Sequence, residues 1–136
     1  MDALDTNVLM YAHDPRDPAK QLVAVSLIQG LVDGALLWQV ACEYLSASRK
    51  LESLGYSRVQ AFQDVRDLRR VWTTLIPEWD VLDRAESLLN TYSLSFWDAV
   101  LIAACCQGGV ARLYSENFSG YSRIDGLALI NPFQTP

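Results

Sequence analysis

The chain has 136 residues, 51% of them hydrophobic, and sixteen acids against eleven Lys and Arg set its net charge at −5. That size and apolar content fit one domain with a real core and exclude a disordered chain. No apolar run is long enough to span a bilayer, no signal-peptide pattern opens the chain, and the acidic balance is not that of a classical nucleic-acid binder.

In chain order, a very short strand at about Ala3–Asp5 passes at once into a short helix after Thr6 and Asn7. A Pro-rich turn at His13–Pro18 follows, and its lone His13 reads as a solvated loop residue. Asp17 and Pro18 open a helix to about Asp33, with Leu22, Val25, Ile28 and Val32 on one face and Gly34 as its stop. Ala35–Trp38 is a second strand, and Val40–Leu54 a helix closed by Gly55. Ser57 and Gln60 form a capping box for a helix to about Arg70. Val71–Ile76 is a third strand ended by Pro77, and Asp80 caps a helix to about Tyr92. Ser95 caps the helix Phe96–Gln107, which Gly108 and Gly109 end. Val110–Tyr114 and Leu127–Ile130 are the last strands. Alternating strands and helices imply parallel pairing through right-handed crossovers, hence an α/β fold as a single three-layer α/β/α sandwich over residues 1–136.

Strand-to-helix junctions of a parallel sheet share one edge, the carboxyl edge, where such folds place their sites. Asp5 ends the first strand. Glu43 lies in the helix after the second, inside the apolar stretch Val40-Ala-Cys-Glu-Tyr-Leu. Asp98 lies in the first turn of the helix that Ser95 opens, inside Phe96-Trp-Asp-Ala-Val-Leu-Ile. Ser115, Glu116 and Asn117 follow the strand ending at Tyr114. Alone, each acid has a plainer use: Asp5 or Asp98 as a helix cap, Glu43 as a solvated first-turn acid. Together they are like charges that raise one another's pKa unless a cation sits among them. Oxygen ligands without His or Cys select Mg²⁺ or Mn²⁺. The three cysteines are odd in number and lack zinc spacing, so they read as buried thiols. Glu78 and Asp80 also follow a strand, so acids at this edge are not all special.

At these residues the chain resembles the PIN domain family, and within it the VapC-type toxin ribonucleases. The resemblance rests on Leu4-Asp5-Thr6-Asn7-Val8-Leu9, on Ser95-Phe96-Trp97-Asp98-Ala99, on Glu43 as the middle acid, and on the stretches Leu113–Phe118, Ile124–Leu127 and Asn131-Pro132-Phe133. It implies strand order 3-2-1-4-5, which moves Glu78 and Asp80 to the periphery. It implies that Asp5, Glu43 and Asp98 bind Mg²⁺ or Mn²⁺ and are catalytic in phosphodiester cleavage of RNA. It also implies a cytoplasmic protein with a VapB-like antitoxin as partner. Asn117 stands where the family often carries a fourth acid; its neutral oxygen, or the carboxylate of Glu116, is a further candidate ligand. Thr6, Asn7 and Ser115 are candidates to orient the ligands. Arg16, Lys20, Arg49, Lys50 and Arg112 are candidates to rim the acids for RNA.

The competing class is a catalytically weak PIN module that binds RNA or protein, with Asn117 as its mark. A phosphatase built on Asp5 would want a second Asp at position 7, which is Asn. The apolar residues Tyr44, Leu45, Leu51, Leu54, Tyr56, Val59 and Phe62, with Trp72 or Trp79, are expected to leave a groove for an antitoxin helix or for a second copy in a homodimer.

Overall fold

The structure is a computed structural model describing residues 1–134. Six short strands make one sheet: β1 (Asp2–Leu4), β2 (Gly34–Leu37), β3 (Thr73–Leu75), β4 (Arg112–Tyr114), β5 (Arg123–Ile124) and β6 (Leu127–Ile130). Their order is β3-β2-β1-β4-β6-β5, parallel throughout except for the antiparallel pair β5–β6. With β6 counted as the fifth strand, this is the expected order. β5 is an addition: Ile124 pairs Leu127 across Asp125 and Gly126, whose φ values of 50° and 82° are those of a tight hairpin turn.

The helices are α1 (Thr6–Tyr11), α2 (Pro18–Gly30), α3 (Trp38–Ala47), α4 (Arg58–Val71), α5 (Asp80–Thr91) and α6 (Phe96–Gln107). Right-handed crossovers stepping from β1 to β2 to β3 put α1–α4 on one face. The return from β3 to β4 puts α5 and α6 on the other. The contacts agree: α1 meets α2 and α3, α3 meets α4, and α5 meets α6. The core is β1, β2 and β4 sandwiched between Val8, Val40 and Tyr44 on one side and the apolar run Ala99–Ala103 of α6 on the other.

Several boundaries depart from the sequence reading. α2 stops at Gly30, and Val32, expected on its apolar face, is 98% exposed; Leu22 is also exposed, and Ala24 is the buried residue. Gly34 opens β2 instead of ending a helix. A Cβ there would lie 2.6 Å from the buried Trp72 indole, so the strand needs glycine to run under that ring. α3 tightens at Ser48 into a 3₁₀ turn, Ser48–Leu54, closed by Gly55 at φ 94°. Ser57 accepts the Gln60 N–H as a cap, but the Gln60 side chain runs on to Asp64 instead of closing the box. Trp79, not Asp80, holds the cap position of α5. Only Cys105 is a buried thiol; Cys42 is exposed and Cys106 half-buried.

His13 is not a solvated loop residue. Its ring stacks on Tyr56 at 4.2 Å, its Nε2 stands 3.4 Å from Asp64, and burial pushes its pKa below the ordinary value against the opposing charge of Asp64. Tyr56 in turn donates to Asp64 at 2.6 Å and shares a hydrogen bond with the Tyr44 hydroxyl. This cluster ties the turn after α1 to α4. Among the described residues, no helix is long and apolar enough to cross a membrane.

Candidate functional site

β1 ends at Leu4 because the next residue turns out of the sheet to cap α1. Asp5 is that cap: its Oδ1 accepts the Thr6 backbone N–H at 2.7 Å, and its Oδ2 accepts the Ser115 hydroxyl at 2.7 Å. The side chain is 4% exposed. Burial raises its pKa; the two hydrogen bonds oppose the shift, and the charges of Glu43 and Asp98 add to it. Asp5 is therefore both a helix cap and one member of an acidic group.

Glu43 reaches the same place from α3. It accepts the Thr6 hydroxyl at 3.1 Å and the Gln39 amide at 2.7 Å. Gln39 stands one helical turn before it, on the same face, and its amide also reaches the Trp97 carbonyl at 3.2 Å. Gln39 thereby links the start of α3 to the start of α6. The Gln39 Oε1 atom is buried and without a partner among the described residues.

Asp98 is delivered by α6. Ser95 caps that helix by accepting the Asp98 backbone N–H at 3.2 Å, so the cap uses the main chain of Asp98 and leaves its carboxylate free. That carboxylate makes no hydrogen bond or ion pair among the described residues. It lines, with Asp5, Thr6, Asn7, Glu43 and Asn117, an open cavity of about 350 Å³. Glu78 and Asp80 line a different cavity, beside β3 at the sheet edge.

Behind the acids, Ser115 is a fully engaged hub. While donating to Asp5, its hydroxyl accepts from the Asn7 amide at 3.3 Å and from the Asn117 backbone N–H at 3.1 Å. Asn7 also accepts the Glu116 N–H at 3.4 Å. Thr6, Asn7 and Ser115 thus stand in contact with the acids or with one another. Glu116 does not join them: it accepts the Tyr11 hydroxyl at 2.8 Å and pairs with Lys20 at 2.9 Å.

The basic residues divide. Arg112 lies at the opposite, amino edge, paired with Asp2 at 2.7 Å. Lys20 is committed to Glu116, and Arg16 to Asp14. Arg49 is exposed and outside the acid cavity's lining, whereas Lys50 lines it. Asp14, Gln39 and Trp97 also line it. Gln39 was legible as the residue one turn before Glu43. Asp14 carried no signal, since a loop acid beside Pro and Arg looks solvated.

The donor set fits a hard divalent cation: carboxylate oxygens, a neutral amide oxygen at Asn117, and no His or Cys in the lining. The three acids are not already drawn into a ligand cage. Among the described residues, no three Asp, Glu, His or Cys side chains stand at metal-holding spacing.

No curated protein matches the chain by sequence. Solved structures match its fold. A toxin–antitoxin complex from Klebsiella pneumoniae is similar at 18% identity and TM-score 0.71, with 99% of this chain and 100% of that one covered. VapC20 of Mycobacterium tuberculosis, a sarcin-ricin loop cleaving toxin, is similar at 18% identity and TM-score 0.66, covering 88% and 91%. VapBC-1 of nontypeable Haemophilus influenzae is similar at 17% identity and TM-score 0.65, covering 98% of each. The PIN domain profile matches residues 3–127, a span that holds most of β1, all of β2 through β5, and Asp5, Glu43 and Asp98 alike; the chain belongs to the PIN domain family.

Proposed function

We propose that the chain is a Mg²⁺- or Mn²⁺-dependent endoribonuclease and the toxin of a type II toxin–antitoxin pair. The observation that carries this reading is the Asp98 carboxylate, held without a partner in the cavity that Asp5 and Glu43 also line. A carboxylate kept free of hydrogen bonds beside two others is an electrostatic liability unless it has a cation to meet. Family membership and the similarity to VapC20, a sarcin-ricin loop cleaving toxin, support RNA as the substrate class.

Each residue then has a task. Asp5, Glu43 and Asp98 would hold the ion, with Asn117 offering a neutral oxygen beside them. Ser115 and the Thr6 N–H fix the Asp5 carboxylate, while Thr6 and Gln39 fix Glu43. Asp5 and Glu43 would be oriented by these bonds, and Asp98 would be free to turn toward the ion. When bound, the metal supplies Lewis acidity and an activated water for phosphodiester hydrolysis. Lys50 is placed to meet the phosphate backbone. The similarity to toxin–antitoxin complexes supports an antitoxin partner. Exposed Leu54, Val59 and Phe62 offer it apolar surface, while Tyr44, Leu51, Tyr56 and Trp72 are core.

Purified protein should cut RNA in Mn²⁺ and stop in EDTA, with full activity in EDTA sinking the mechanism. Asn117 favours a second reading, a binding module of little activity. Such a module would hold RNA in Mn²⁺ without cutting it.

A further inference from the structure

RNA has to approach this site against the field. The net charge is −5, and Asp5, Asp14, Glu43 and Asp98 all line the cavity. Of the cations expected at the rim, Lys20 is paired with Glu116 and Arg112 with Asp2 at the far edge, while Arg16 is paired with Asp14 and offsets that one acid. Lys50 alone of the basic residues lines the cavity, where it makes no ion pair among the described residues. Charge neutralisation supplies most non-specific affinity for nucleic acid, and here little of it is on offer. Affinity has to come from a contact that is indifferent to charge.

Trp97 is such a contact. It lines the acid cavity directly before Asp98 in the chain, yet is 62% exposed. A large ring left in water so close to three carboxylates contributes little to the core. Its backbone is held, and its ring has one aromatic neighbour. The Gln39 amide bonds its carbonyl at 3.2 Å, and Phe96 packs edge-to-face against its ring at 5.2 Å and 81°. An exposed aromatic face beside an acidic cavity, with a lysine unpaired among the described residues, is the composition of a single-strand binding site. There a base stacks on the ring while a lysine meets the phosphate.

Resting on the nuclease reading above, we propose that Trp97 is a stacking platform for one unpaired RNA base next to the cleaved phosphate, with Lys50 contacting the backbone. A base within a duplex has both faces covered, so this contact needs a base that can leave its stack. Stacking accepts any base face, so this contact sets a preference for unpaired RNA and not for one nucleotide.

The test is a fluorescence titration of the full chain with a short single-stranded oligoribonucleotide carrying 2-aminopurine. It is run in Ca²⁺, with the RNA's integrity checked on a gel, and beside it cleavage is measured in Mn²⁺. The parent should quench the 2-aminopurine and bind the single strand more tightly than the duplex. Trp97→Ala should weaken binding roughly tenfold and leave the probe unquenched. Trp97→Phe should keep most of both. Trp79→Ala, which removes a more exposed indole (86%) outside the acids' cavity lining, should match the parent. Equal affinity of parent and Trp97→Ala, including no measurable binding by either, would overturn the stacking site. So would an equal loss in Trp79→Ala, or a loss that accompanies a change of oligomeric state in light scattering, which would mark Trp97 as a self-association contact. Failure of the parent to cut RNA in Mn²⁺ is a separate readout, and it overturns the nuclease reading itself.

Discussion

Asp98 separates two uses of one residue. As a cap it contributes through its backbone N–H, which Asn retains. As a carboxylate it adds charge near Asp5 and Glu43. Asp98→Asn should abolish RNA cleavage and leave metal-free stability within about 1 kcal/mol of the parent, since lost repulsion offsets a lost helix-dipole contribution of about 0.3–1 kcal/mol. A melting temperature lowered by many degrees would make Asp98 a structural acid. Asp5 offers a pH test. Its folded pKa is raised by burial, so ionising it costs stability, and the cost lifts as pH falls through that raised value. Asn at position 5 does not titrate. Metal-free parent should therefore gain on Asp5→Asn as pH drops from neutral into the carboxylate range, seen in paired denaturant titrations; a pH-independent difference would contradict the shift. Asn117→Asp should tighten Mn²⁺ binding and raise cleavage, and an unchanged affinity would place Asn117 outside the ligand set. The meeting of the three acids at one cavity was legible because each sits in an otherwise apolar segment, Asp5 and Glu43 beside strand-to-helix junctions and Asp98 in the first turn of a helix. Their orientation was not: Glu116 swings to Lys20 because α2 passes close by, and nothing local in Ser115–Asn117 records that neighbour.

Elements were legible where caps and breakers speak plainly. Pro18, Ser57 and Ser95 start helices as expected. Lengths failed where tertiary packing overrides periodicity. α2 ends early because Gly34 must enter the sheet beneath Trp72, and α3 tightens at Ser48, whose buried hydroxyl bonds the Leu45 carbonyl. β5 was overlooked although Asp125-Gly126 is a hairpin signal, since two residues are too few to show alternation. His13 was misread because its partners, Tyr56 and Asp64, lie more than forty residues on. That cluster predicts an element-scale effect. Tyr56→Phe strips hydrogen bonds from Tyr44 and Asp64 in a largely buried setting, and should cost about 1–3 kcal/mol of stability by chemical denaturation. A neutral result would mean that water replaces the hydroxyl.

For the whole molecule, strand–helix alternation was enough to read a parallel sandwich, and the resemblance at Leu4–Leu9 and Ser95–Ala99 supplied the strand order that periodicity lacks. What no local pattern holds is which surfaces remain open: four of the nine expected groove residues fill the core, Leu45 is partly buried, and Leu54, Val59, Phe62 and Trp79 stay in water. The fold brings Asp5, Glu43 and Asp98 to one edge because α1 and α3 leave the sheet there and α6, after α5, starts there. The most direct test of that convergence is a calorimetric titration of Mn²⁺ into metal-free parent and Asp98→Asn protein. Saturable binding by the parent, at least roughly tenfold weaker in Asp98→Asn, is the expected result. Equal binding by the two proteins, or none by the parent, would contradict a cation centre built on these three carboxylates.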